Sequence, residues 1–201
     1  MTILIVLILS YLLGSIPFGY LLVKLKTGGD VRAAGSGNIG ATNVFRTTGR
    51  GIGVLTLLLD ALKAFAAVWI AGRVTHGNEL WTSAAAVAVL LGHIFPVFLN
   101  FKGGKAVASF TGAFAFLAPA ALLAVFIVFV LAVWKTRFIS MGSLLGALTF
   151  PLAVWMIVRP HWPLEAAALV SSALILWRHR ANIERLRAGT ESVFPPRSAP
   201  V

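Results

Sequence analysis

Gly35 to Asn43, which reads GSGNIGATN, is a nine-residue polar run between apolar stretches, with Arg46 three residues on. Gly35, Gly37 and Gly40 free the backbone to approach a ligand closely. Ser36, Asn38, Thr42 and Asn43 bring hydroxyl and amide groups, and Arg46 brings a fixed positive charge. This is equipment for wrapping an anion. A second group, Phe101 to Ser109 (FKGGKAVAS), places Lys102 and Lys105 around Gly103 and Gly104 directly before an apolar segment. Cations and free N–H groups at a helix start attract phosphate. In the third group, Arg178 to Ile183 (RHRANI), His179 and Asn182 stand three apart, so a continuing helix puts them on one face.

Other chemistries are poorly supported. Gly35-x-Gly37-x-x-Gly40 matches the dinucleotide fingerprint, but no strand precedes it and no soluble βαβ unit is available. The second group lacks the GxxxxGK[ST] spacing of nucleotide-hydrolysing loops. His76, His93, His161 and His179 are scattered without ligand spacing, and the chain has no cysteine, so neither a metal site nor a cysteine-bound intermediate is expected.

The elements that must position these groups are membrane helices. The 201 residues are 59% hydrophobic and 11% charged, with a net charge of +11. The cations sit in short gaps between apolar runs, which suits positive-inside topology and not a nucleic-acid face. Residues 3–23, 52–71, 81–99 and 138–158 each approach the ~20 residues needed to span a bilayer. Residues 106–133 form either one tilted helix or two short ones turning near Pro119, and 164–177 form a further short span. Charge decides. With two helices, every cation but Arg73, Arg159 and the in-span Lys63 falls on one side; with one helix, the cations divide evenly. The expected fold is therefore an all-α polytopic membrane protein of about seven transmembrane helices, N-terminus outside and C-terminus cytoplasmic. Residues 1–187 read as a single domain and 188–201 as a disordered tail. Asp60 and Lys63, three apart inside a span, can pair on one helix face, and an intramembrane lysine is also a candidate for a role toward substrate. His93, near Pro96, reads as a hydrogen-bonded packing residue.

In this order and at these intervals, GSGNIGATN, FKGGKAVAS and RHRANI closely resemble the PlsY family of bacterial acyl-phosphate:glycerol-3-phosphate acyltransferases. The resemblance runs over nearly the whole chain and includes Asp60-x-x-Lys63 and Gly92-His93-x-x-Pro96. Two residues depart from the family pattern. Ala106 stands where a glycine usually follows the motif lysine, and Ala181 where a glutamate commonly precedes the asparagine. The lost carboxylate calls for a replacement, for which Glu184 is one candidate.

The resemblance implies transfer of a fatty acyl group from acyl phosphate to the 1-hydroxyl of glycerol 3-phosphate, giving 1-acylglycerol 3-phosphate and phosphate. The partners would be those two substrates and membrane lipid, with no cofactor, at the cytoplasmic face of the bacterial plasma membrane. Ser36, Arg46, His179 and Asn182 are the expected catalytic residues. Gly37, Asn38, Gly40, Thr42, Asn43, Gly103, Gly104 and Lys105 are the expected substrate-binding ones. Arg46 and Lys105 would neutralise the phosphates, and the N–H of Gly37 or Asn38 could form an oxyanion hole. For the base, His179 and a substrate phosphate stay open, with substrate assistance favoured. A covalent acyl-Ser36 lacks the histidine–carboxylate pair it would need. The rival reading is a membrane anion or phosphate transporter, but all three polar groups share one face and no repeated halves are visible.

Overall fold

The structure, a computed structural model, describes residues 1–194. Its ordered elements are helices: α1 (Thr2–Ser15), α2 (Phe18–Thr27), α3 (Ala41–Thr47), α4 (Arg50–Val74), α5 (Glu79–Ile94), α6 (Val107–Leu117), α7 (Pro119–Thr136), α8 (Ile139–Ala153), α9 (Trp162–Arg178) and α10 (Arg180–Arg187). No strand occurs among the described residues. Five stretches are long and apolar enough to cross a membrane: Thr2–Thr27, Arg50–Val74, Glu79–Leu99, Pro119–Thr136 and Ile139–Val158. The 11 residues of α6 make a shorter apolar helix, and α9 is 17 residues long.

The ambiguous 106–133 stretch divides at Ala118, with Pro119 opening α7 at its first position, where a missing N–H costs nothing. The first apolar run, expected to be one helix, is also broken. Pro17 disfavours a helical Ile16, which turns extended (ψ 113°) and frees its carbonyl. A carbonyl outside the helical ladder is costly inside a bilayer, and here it accepts from Phe18 N at 3.2 Å and from Lys63 Nζ on α4 at 2.7 Å. Toward its C-terminal end α8 carries Pro151 and relaxes into a wider π turn over Val154–Val158.

Packing is inverted relative to a water-soluble bundle. Leu58, Leu62, Leu123, Leu148 and Trp155 point outward, while Thr56, Asp60, Lys63, Ser83, Ser109 and Ser171 are buried. Lipid tails give no hydrophobic drive between helices, so close backbone approach carries the association. Gly14 and Gly92 bring α1 and α5 so near that a Cβ on either would strike the other helix's main chain. Phe110, Phe114 and Phe150 fill the centre with ring centroids 4.7 Å apart, tying α6 to α8.

Candidate active site

The first polar run folds around one side chain. Asn43 is buried on α3. Its Oδ1 accepts from Ser36 N at 2.8 Å, and its Nδ2 donates to the carbonyls of Val31, Ala34 and Asn38 at 3.2, 3.1 and 2.9 Å. The chain must turn tightly to bring those groups to one amide, and Gly35 and Gly37 do so at positive φ (60° and 70°). Asn43 therefore shapes the cradle from within. Asn38 Oδ1 accepts from Gly40 N at 2.8 Å, closing a second turn before α3. Of the two expected oxyanion donors, Gly37 N is engaged with Ala34 O at 3.1 Å. Asn38 N has no partner among the described residues. Ser36 is exposed at the rim, and Ile39 beside it anchors the loop in a small apolar cluster with Val23, Val31, Val44 and Leu99.

The second group is an extended loop ending at Ala106, whose φ of 61° is left-handed. Its backbone is held on both sides. Gly103 N and Gly104 N donate to the carbonyls of Ile94 and His93, each at 3.1 Å. From the other side, Arg178 donates through Nη2 to Gly103 O at 2.9 Å and through Nε to Gly104 O at 3.0 Å. Gly103 and Gly104 thus set the loop's path while Lys105 projects into the site and donates to Asn182 Oδ1. Burial, together with the nearby cations of Arg185, Arg46 and Arg178, brings the Lys105 ammonium down to about 8, against the opposing pull of Glu191.

The third group bends where α9 gives way to α10. His179 sits in the break and Asn182 one turn on, and both are buried. The ring Nδ1 of His179 lies 2.8 Å from Ile175 O, an acceptor only, so Nδ1 carries the proton and Nε2 keeps its lone pair. Burial and the Lys105 charge bring this imidazole down to about 4, so it is neutral at pH 7. Asn182 bridges the site: beside its bond from Lys105, its Nδ2 donates to Glu191 Oε1 at 2.7 Å.

Glu191 and Arg178 are participants that the motif reading did not single out. The expected tail lies outside the described residues from 195 onward. Residues 190–194, by contrast, fold back over the site. Glu191 also accepts from Arg185 Nε at 2.7 Å, Ser192 O accepts from Arg46 Nη2 at 3.0 Å, and the Phe194 ring meets Phe45 with centroids 5.2 Å apart. Burial alone would raise the Glu191 carboxyl. Its hydrogen bonds with Asn182 and Arg185 outweigh that and hold it below the usual carboxylate range. This is the carboxylate near Asn182, not Glu184. Its signal in the sequence is only scarcity: six acids stand against 17 lysines and arginines.

These groups surround one cavity of about 750 Å³. Ser36, Asn38, Arg46, Lys105, His179 and Asn182 line it, with Gly40, Thr42 and Asn43 beside them. Gly53, Val54 and Leu57 of α4, His93 of α5, Phe129 of α7 and Ser140 and Ser143 of α8 line it as well. Gly37, Gly103 and Gly104 lie behind the lining. At its floor is Asp60, which pairs with Lys63 at 2.7 Å, both nearly inaccessible. Lys63 itself faces Ile16 and His93 and not the cavity. A pocket lined by cations together with apolar side chains suits an amphiphile with an anionic head.

The sequence profile of the glycerol-3-phosphate acyltransferase family matches residues 4–189. The glycerol-3-phosphate acyltransferase of Syntrophotalea carbinolica is 44% identical over 190 residues, 94% of this chain and 96% of that protein. That of Anaeromyxobacter sp. strain K is 49% identical, over 90% of this chain and 92% of its own. Among solved structures, PlsY, an integral membrane glycerol 3-phosphate acyltransferase crystallised in its glycerol 3-phosphate form, superposes with a TM-score of 0.91 at 39% identity. The match covers 96% of each chain. Its lysophosphatidic acid form superposes with a TM-score of 0.86 at 38% identity. With its apolar helices, this chain is a multi-pass membrane protein, and it belongs to the PlsY family of glycerol-3-phosphate acyltransferases.

Proposed function

We propose that the protein transfers a fatty acyl group from acyl phosphate to the 1-hydroxyl of sn-glycerol 3-phosphate, giving 1-acylglycerol 3-phosphate and inorganic phosphate. The observation that carries this is the cavity's mixed lining: Arg46, Lys105 and His179, whose Nε2 is free, share one cavity with the apolar side chains of Val54 and Leu57 on α4 and Phe129 on α7. The acyl tail lies against those apolar side chains while both phosphates gather at the cations. His179 Nε2 accepts a hydrogen bond from the glycerol hydroxyl and orients it, with Ser36 at the rim guiding the same group. The hydroxyl oxygen bonds to the acyl carbon as the carbon–oxygen bond to phosphate breaks, and Asn38 N is placed to stabilise the oxyanion. A neutral imidazole of pKa about 4 is a weak base at pH 7. The proton therefore goes to a phosphate oxygen, and the leaving group departs as hydrogen phosphate. No acyl-enzyme is formed.

The reaction is placed at the cytoplasmic face of the bacterial plasma membrane, in a seven-span chain with its N-terminus outside. The positive-inside bias supports this, with Lys105, Arg178 and Arg46 on the same face as the other loop cations. Purified protein given both substrates should release phosphate and 1-acylglycerol 3-phosphate one for one. Phosphate release without the ester, or dependence of the ester on a trapped acyl-enzyme, overturns the mechanism.

A further inference from the structure

One buried polar cluster has no part in the mechanism, although two of its members, Asp60 and His93, line the same cavity. His93 on α5 is almost wholly enclosed, and its ring Nδ1 lies 3.2 Å from Lys63 Nζ, 3.2 Å from Ser109 Oγ and 3.7 Å from Asp60 Oδ1. Ser109 Oγ also lies 3.2 Å from Asp60 O, so its single hydrogen is shared between that carbonyl and Nδ1. An ammonium can only donate, so Nδ1 is the acceptor and Nε2 carries the hydrogen. The Nε2 edge lies against Gly104, where an added Cβ would collide with the imidazole. The His93 carbonyl accepts from Gly104 N, while Arg178 grips Gly103 and Gly104 from the opposite side. The loop before Lys105 is thus seated on a ring whose tilt three elements determine: α4 through Asp60 and Lys63, α5, and α6 through Ser109.

We propose that His93 is a positioning residue for acyl transfer: held by Ser109 and by Lys63, which Asp60 in turn pairs, it seats the Gly103–Gly104 backbone and so fixes the reach of Lys105 toward the substrate phosphate. This rests on the acyl-transfer reading above for its kinetic consequence, though not for its structural one. Intramembrane polar groups are costly to keep. Here they connect the core to the loop that presents the cation, and Lys63 also closes the broken carbonyl of Ile16.

The test compares wild type, His93→Asn and Ser109→Ala, each alone and with Lys105→Ala. Asn leaves an acceptor oxygen for Lys63 but removes the ring beneath Gly104. The first readout is trace acetylation of Lys105 by acetic anhydride across pH, followed by mass spectrometry. Glu191, Arg185, Arg46 and Arg178 face the ammonium and are unchanged in every variant. Wild type should label with a midpoint near 8. His93→Asn should move it upward by about one pH unit as the amine reaches water. The second readout is kinetic: KM for glycerol 3-phosphate should rise about tenfold in His93→Asn with kcat within about threefold, a coupling of ordinary size for contacting groups. In the Lys105→Ala background the same change should cost less than about twofold. An unmoved labelling midpoint, or a His93 effect that multiplies in full with Lys105→Ala, overturns the proposal. If His93→Asn does not fold, Ser109→Ala must show the same direction in both readouts, and an unmoved midpoint there overturns it equally. Failure of the acyl-transfer reading would appear as an inactive wild type, and the labelling result would stand apart from it.

Discussion

Arg46 and Lys105 are both cations, yet their environments ask different things of them. Arg46 is half-buried and already donates through one guanidinium nitrogen to Ser192 O, so its fork is oriented before substrate arrives. Arg46→Lys keeps the charge and loses the planar fork, and activity should fall at least about tenfold, most of it in KM for glycerol 3-phosphate. Rates near wild type would reduce Arg46 to general electrostatics. For Lys105 the lever is pH. Its ammonium, brought down to about 8, is lost in the free enzyme as pH rises through that value, so kcat/KM for glycerol 3-phosphate should decline above pH 8. Lys105→Arg should remove that alkaline limb, because a guanidinium stays charged. On the acid side His179 remains neutral down to about 4, so any loss near pH 6 belongs to the substrate phosphates, whose second pKa is about 6.

At the level of elements, the loop before α6 carries a strain that the family glycine would not. Ala106 holds φ at 61°, a region that a Cβ makes unfavourable by about 1 kcal/mol. Ala106→Gly should therefore raise the melting temperature in detergent by about 2–4 °C for a chain of this length. An unchanged or lower value would show that the loop relaxes the strain elsewhere. The helix breaks divide into those that sequence exposes and those it hides. Pro119 stands mid-way in an overlong apolar run, and the charge balance required two helices there, as the structure has. Pro17 disfavours a helical Ile16 locally, but it lies in a run of ordinary span length, where neither length nor charge balance calls for two helices. What makes it tolerable is Lys63, 47 residues away on another helix. The same holds for the site. Ser36, Arg46, Lys105, His179 and Asn182 were legible because polar groups stand out against apolar spans. The fourfold engagement of Asn43 inside its loop, the grip of Arg178 on Gly103 and Gly104, and the return of Glu191 to Asn182 are tertiary facts with no periodicity to betray them.

For the whole molecule, the arrangement gathers three separate polar segments at one end of an inverted bundle and leaves the walls apolar. A chain of 59% hydrophobic residues with no cysteine is well suited to mapping that arrangement, because each introduced cysteine reports alone. Single cysteines beside Lys26, Lys102 and Lys135 should react with a membrane-impermeant maleimide only from the cytoplasmic side, and those beside Arg73 and Arg159 only from outside. Lys102 and Lys135 reacting from opposite sides would rejoin α6 and α7 into one crossing and invert everything after them. The most direct single measurement is a donor comparison: purified protein, glycerol 3-phosphate, and either acyl phosphate or acyl-CoA at equal concentration, with 1-acylglycerol 3-phosphate quantified. If the site holds two phosphates as proposed, it should make product from acyl phosphate and essentially none from acyl-CoA. Product from acyl-CoA alone, or from neither donor, would contradict it.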